Sequence, residues 1–206
     1  MTGRRRTWAL CAGTLLAAFA AETGAQSPQF RGAAHHAGRF ETEGLETFGG
    51  VAWRFDAGGA VRSSAALDRG VLYVGTSAGT LHALRADDGV LLWSYDAGSG
   101  ISSSPAAHDE LVLVVDREGT LHAVAARDGR FRWTVESERT LPLPWGHEGW
   151  DYLVGSVALS AGVAYWGAGD GYVRAADAAT GRLLWRFRTG GRGRATPAIV
   201  GDLLVV

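Results

Sequence analysis

The chain has no lysine and no asparagine, and its one cysteine is Cys11. A disulfide within the chain is therefore excluded, and arginine alone carries the fixed positive charge. Five prolines among 206 residues leave 30 glycines as the main source of turns. Basic and acidic residues nearly cancel, at 20 against 21, so no basic excess points to nucleic acid. No apolar run approaches the ~20 residues that a membrane-spanning helix needs. A chain without Lys and Asn but abundant in Ala, Gly and Arg has the composition of a GC-rich bacterial coding sequence.

What is present begins with Arg4-Arg5-Arg6, an apolar stretch from Trp8 to Ala21, and small residues to Ala25. This order reads as a secretory signal peptide over residues 1–25, cleaved after Ala25 with Thr23 at −3. Ala18-Phe19-Ala20 is an alternative cleavage point, and the Arg pair before Thr7-Trp8 weakly resembles a twin-arginine signal. Cys11 sits too early for lipoprotein attachment. The expectation is a periplasmic or secreted protein with no membrane anchor, its mature part carrying 17 basic and 20 acidic residues. Residues 26–50 are polar and Gly-rich and read as an extended lead-in, with His35 and His36 exposed.

A repeated phrase then decides the architecture. It ends at Trp93, Trp133 and Trp185, and in each copy a Gly (Gly79, Gly119, Gly171) stands 14 residues before the Trp and a second (Gly89, Gly129, Gly181) 4 before it. Short apolar runs, Val71–Val74 and Leu111–Val115, read as strands covered on both faces. Asp88-Gly89, Asp128-Gly129 and Thr180-Gly181 read as hairpin turns. Small residues precede each copy, as Ser63–Ala66, Ser103–Ala106 and Ala195–Ala198, and suit a crowded inner strand. The 40-residue spacing of Trp93 and Trp133 is that of one four-stranded propeller blade. Trp53 lies another 40 residues back, so Val51–Phe55 reads as the last strand of a further blade.

Tyr73–Trp93 and Tyr165–Trp185 resemble the repeat of the PQQ-like, or quinoprotein-type, β-propellers, and the resemblance runs from about Val51 to Val206. It implies an all-β fold of four-stranded antiparallel blades, incomplete here, with three full blades and partial blades at both ends. It also implies that Trp93, Trp133 and Trp185 dock on neighbouring blades. Where the family has Tyr after the Leu, this chain has His82, His122 and Arg174; its Asp is replaced by Arg85 and Ala125 and returns as Asp177. Residues 196–206 align with 64–74, so the sequence stops within the second strand of a blade. Two readings follow: part of a larger ring, or half of a ring that self-association completes.

The period breaks once, where Trp133 and Trp185 are 52 residues apart. The surplus falls in 141–152, a loop between blades on the face that also carries Arg117-Glu118 and Asp170. Loops on a rigid scaffold are the usual carriers of binding residues. Trp145, His147, Glu148, Trp150, Asp151 and Tyr152 offer stacking surface and polar anchors for a glycan, a peptide or a quinone. The competing reading is a Pro-stiffened cover over the ring. His147-Glu148 with Asp151 matches no known metal spacing. His82 and His122 read as packing or surface residues, and Arg192 and Arg194 as solvated or facing an anionic ligand.

The resemblance implies two function classes. One is an exported, non-catalytic propeller scaffold that binds a protein or envelope component, with no cofactor, as in outer-membrane-assembly propellers. The alternative is a fragment of a PQQ-dependent alcohol or sugar dehydrogenase, using PQQ with Ca²⁺. The enzymes of the family carry a vicinal cysteine pair and Glu, Asn and Asp around calcium, and the mature chain has neither Cys nor Asn. The non-catalytic reading is the one adopted.

Overall fold

The computed structural model describes residues 27–38, 49–138 and 154–206. All regular structure in them is β. The first blade is β1 (Ala66–Asp68), β2 (Val71–Gly75), β3 (Thr80–Arg85) and β4 (Leu91–Asp96). The second is β5 (Ala106–His108), β6 (Leu111–Val115), β7 (Leu121–Ala125) and β8 (Phe131–Val135). The third is β9 (Ala158–Ser160), β10 (Val163–Gly167), β11 (Tyr172–Asp177) and β12 (Leu183–Arg188). A two-stranded sheet of β13 (Ala198–Val200) and β14 (Leu203–Val205) follows. Each four-stranded sheet is an antiparallel meander in chain order, so the molecule is an incomplete β-propeller of three full blades and part of a fourth.

The core lies between blades. Tyr73, Leu81 and Trp93 of the first blade meet Val112, Val114 and Val124 of the second. Leu113, Val115 and Leu121, on the other side of the same second sheet, meet Val157, Leu159 and Trp166 of the third. A sheet covered on both faces needs apolar residues at successive positions, which is why β6 reads Leu-Val-Leu-Val-Val without alternation. The outer strand β12 has no further blade against it among the described residues, and all six of its residues are exposed.

In every blade the Trp sits opposite an alanine: Ala83 with Trp93, Ala123 with Trp133, Ala175 with Trp185. The ladder shifts register immediately after that pair in all three blades, a bulge that increases local twist where the large ring leaves the sheet. The inner strands are only three residues long, and the small residues anticipated there mostly precede them.

Two segments depart from the sequence reading. Val51–Phe55 is not a strand. A strand needs a laddered partner, and no described residue pairs with this segment in a ladder. Residues 27–36 do not run extended but turn at Arg31-Gly32 and again at His36, with positive φ at all three. They cross the inner strands in blade order. Ser27 pairs with Leu67 of β1, Ala107 of β5 donates to the Pro28 carbonyl at 2.6 Å, and Ile199 of β13 donates to the Ala34 carbonyl at 2.9 Å. The Gln29 side chain accepts from the Leu159 N–H at 2.9 Å and donates to the Leu159 carbonyl at 3.3 Å. His35 is exposed, but His36 is half-buried, its ring nitrogens 2.8 Å from the Phe30 carbonyl and 2.6 Å from the Pro197 carbonyl.

Candidate functional site: the groove between the first and second blades

The blade faces turned toward the preceding blade carry His82, His122 and Arg174 at one repeat position, just inside the turn that joins the second and third strands. These are the residues that stand in for the family's Tyr. His82 contacts Ser94 Oγ through Nδ1 at 2.8 Å and the Ala57 carbonyl through Nε2 at 3.1 Å. His122 reaches Tyr95 of the first blade through Nδ1 at 3.0 Å and Asp116 Oδ2 through Nε2 at 3.1 Å. A neutral imidazole with its proton on Nε2 donates to Asp116 and accepts from the Tyr95 hydroxyl, so each ring nitrogen has a partner. Burial pushes the Tyr95 hydroxyl pKa up, and the charges of Asp96 and Asp116 add to the effect.

In the third blade the same position holds a buried ion pair. Arg174 donates to both Asp170 oxygens, through Nη1 at 3.0 Å and through Nη2 at closer range. Asp170 also accepts from the backbone N–H of Glu138, beyond β8, at 2.9 Å, and from that of Tyr172 at 3.2 Å. Burial by itself would raise the Asp170 pKa. The Arg174 hydrogen bonds and charge and the two backbone donors outweigh it and hold the carboxyl below its ordinary value. Arg186 pairs with Glu138 and lies over the Tyr172 ring, 4.8 Å from its centroid. His82 and His122 thus join their blades to the chain before them directly, and Arg174 does so only through Asp170, which takes the Glu138 N–H. The packing reading for His82 and His122 holds, and Arg174 joins them.

Around the His122 latch a cavity of about 600 Å³ opens, lined by Glu118, Thr120, Thr134, Glu136 and Glu138 among others. It lies on the face of the β6–β7 turn, the face expected to carry the long loop. That loop's residues, Trp145, His147, Glu148, Trp150, Asp151 and Tyr152, lie outside the described residues. Arg192 is half-buried and Arg194 exposed, and both have interaction partners.

The repeat glycines and tryptophans meet across blades. A Cβ on Gly89 would stand 2.5 Å from the Trp53 ring, one on Gly129 2.6 Å from Trp93, and one on Gly181 2.6 Å from Trp133. Each Trp lies on the next blade's hairpin glycine and donates its indole N–H to a nearby carbonyl: Trp53 to Ala86 at 2.9 Å, Trp93 to Ala126 at 2.9 Å, Trp133 to Ala179 at 3.2 Å. Trp185 is 41% exposed. Gly79, Gly119 and Gly171 hold the turns at the other ends of the third strands, with φ of 94°, 86° and 84°.

One series was not legible as a series. The backbone N–H of Ser64 donates to Ser104 Oγ at 3.1 Å, that of Ser104 to Ser156 Oγ at 2.8 Å, and that of Ser156 to Thr196 Oγ1 at 2.9 Å. The sequence showed small residues here. That Ser64, Ser104 and Thr196 are all hydroxyl-bearing was the available signal.

Blades of antiparallel meanders, tied by Trp-on-Gly seats and an inner hydroxyl series, define a propeller of the PQQ-like repeat class. The family model described as outer membrane protein assembly factor BamB matches residues 44–148 and 143–206, and the chain belongs to that family. No curated protein sequence matches significantly. Among solved structures, BamB from Moraxella catarrhalis superposes with a TM-score of 0.64 at 23% identity, over 75% of this chain and 49% of that one. A quinohemoprotein alcohol dehydrogenase from Pseudomonas putida HK5 superposes with a TM-score of 0.55 at 26% identity, over 68% and 22%. The computationally designed Ika4 protein gives 0.62 at 18%, over 76% and 91%. The chain thus spans about half the length of the Moraxella protein and under a quarter of the dehydrogenase.

Among the described residues, no three His, Cys, Asp or Glu converge to hold a metal ion.

Proposed function

We propose that this protein is an exported, non-catalytic propeller scaffold that binds a protein or another component of the cell envelope. The observation that carries the reading is the use of polar groups on the groove face. His82, His122, Asp116, Asp170 and Arg174 are spent on holding blades together, while Glu118, Glu136 and Glu138 line the open cavity. That division suits recognition on a rigid frame better than chemistry. The family description, an outer-membrane assembly factor, supports an envelope setting and a protein partner. Export rests on residues 1–25, and recognition is assigned to the groove, with Trp145, His147, Glu148, Trp150, Asp151 and Tyr152 as further candidates from the sequence.

The test is site-specific photocrosslinking in the envelope, with the crosslinker at Glu136 in the groove or at Arg130 on the opposite face. A discrete adduct from position 136 and none from 130 is the expected result. PQQ- and Ca²⁺-dependent oxidation of an alcohol by the purified chain, with no adduct at either position, would replace the scaffold by the dehydrogenase fragment.

A further inference from the structure

The lead-in holds one side chain whose contacts dictate its charge. Both ring nitrogens of His36 meet backbone carbonyls, Nδ1 that of Phe30 at 2.8 Å and Nε2 that of Pro197 at 2.6 Å. A carbonyl oxygen only accepts, and a neutral imidazole has one N–H and one lone pair. In the neutral ring, one of the two contacts therefore sets lone pair against lone pair. The imidazolium, with a proton on each nitrogen, satisfies both.

The two carbonyls belong to different parts of the molecule. Phe30 is in the lead-in itself, whereas Pro197 directly precedes β13 of the fourth blade, where the Ile199 N–H takes the Ala34 carbonyl at 2.9 Å. The chain at this corner is strained: Arg31 and His36 have φ of 55° and 51°, left-handed values that residues with a Cβ rarely adopt. The His36 ring lies 5.5 Å from that of Phe30, and Arg31 lies over the same Phe30 ring, 5.6 Å from its centroid. Arg31 and the exposed His35 are the charged or titratable groups of the described lead-in. β13 and the neighbouring inner strand β9 carry none, and Arg194 and Asp202 flank β13 in sequence. The two carbonyls thus favour the second proton against the like charge of Arg31.

We propose that His36 is the catch of a pH-sensitive strap: its imidazolium pins residues 34–38 to the fourth blade, and loss of one ring proton releases them from β13. The catch is complete on the acid side, where the ring is charged, and opens as pH rises, since imidazole changes charge between about pH 5 and about pH 8. Release frees the Ile199 N–H on β13 and lets the backbone relax at Arg31 and His36. Ser27 and Pro28 keep the strap on the first two blades. The strap is separate from the groove and does not rest on the scaffold reading.

The experiment is amide hydrogen exchange of the full chain at about pH 5 and about pH 8, either side of the imidazole range. Rates are read as protection factors, so that the intrinsic effect of pH divides out. Protection at Ile199 should fall about tenfold at the higher pH, as for loss of one charge-assisted hydrogen bond, while protection at Leu67 and Ala107 holds. His36→Gln, which has no charge to lose, should show the lower Ile199 protection at both pH values. His35→Gln should keep the wild-type response. Heteronuclear NMR of the imidazole nitrogens supplies a readout that needs no variant: His36 should carry a proton on both nitrogens at the pH where Ile199 is protected. A neutral His36 ring at that pH overturns the proposal. So does equal Ile199 protection at both pH values, a pH response that survives in His36→Gln, or an equal loss at Leu67 and Ala107.

Discussion

The backbone N–H of Ser104 donates to the hydroxyl of Ser156 at 2.8 Å, across the boundary between the second and third blades, with both residues buried. The same contact recurs from Ser64 to Ser104 and from Ser156 to Thr196. The inner ends of neighbouring blades are thus joined by a backbone donor and a side-chain acceptor, where three-residue strands provide little ladder of their own. Ser156→Ala should remove one acceptor and leave a buried N–H unpaired, at a cost of about 1–3 kcal/mol. Urea unfolding measures it, and Ser156→Thr, which keeps the hydroxyl, should lie close to wild type.

The Trp seat can be separated from simple backbone strain. Gly98 and Gly129 both have positive φ, 76° and 68°, but an added Cβ at Gly98 meets open space while one at Gly129 meets the Trp93 ring. Gly98→Ala should cost about 1 kcal/mol, the left-handed strain alone. Gly129→Ala should cost ~2–4 kcal/mol, because overpacking is added. Equal losses in thermal melts would remove the seat from the account.

The lead-in takes one amide from each blade: Leu67, Ala107, Leu159 and Ile199. All four should be protected in hydrogen exchange. Gln29→Ala should speed exchange at Leu159 by roughly tenfold, the effect of one lost hydrogen bond. Amides in the β6–β7 ladder should not change. Uniform acceleration across the second blade would mean that Gln29 supports the whole fold and not one contact.

Asp170 links stability to pH. Its carboxyl pKa in the folded chain lies below the ordinary carboxylate value, so its contribution is complete above the unfolded pKa and disappears as pH falls through the folded one. Stability should decline on the acid side of about pH 4. Asp170→Asn should flatten part of that decline while lowering stability near neutrality by ~3–5 kcal/mol, since Arg174 would stay buried without its partner. Denaturant midpoints at several pH values give both quantities. A mutant with an unchanged acid limb would show that other carboxylates set it.

Legibility followed periodicity. The hairpin glycines and Trp93, Trp133 and Trp185 were visible because one physical demand, a flat ring on a residue without Cβ, is imposed at a fixed interval. His82, His122 and Arg174 were visible as departures from the family pattern. Their partners across the boundary were not, because Tyr95, Ala57 and Glu138 come from the chain before each blade at unrelated positions. The same holds for residues 27–36, whose contacts run mostly through backbone groups that any sequence supplies. Trp53 kept its ring in place on Gly89 although its segment forms no ladder. The seat depends on one side chain, whereas a strand depends on a neighbour.

What the sequence determined by itself was the blade: apolar runs, Asp-Gly and Thr-Gly turns and a Trp at a set distance are local instructions, and local chemistry enforces them. Which blade faces meet, which hydroxyls and amides close the inner ends, and which polar groups are left to line a cavity were decided only in three dimensions. Those outcomes depend on groups 40 to 165 residues apart, whose pairing arises from the packing of whole sheets.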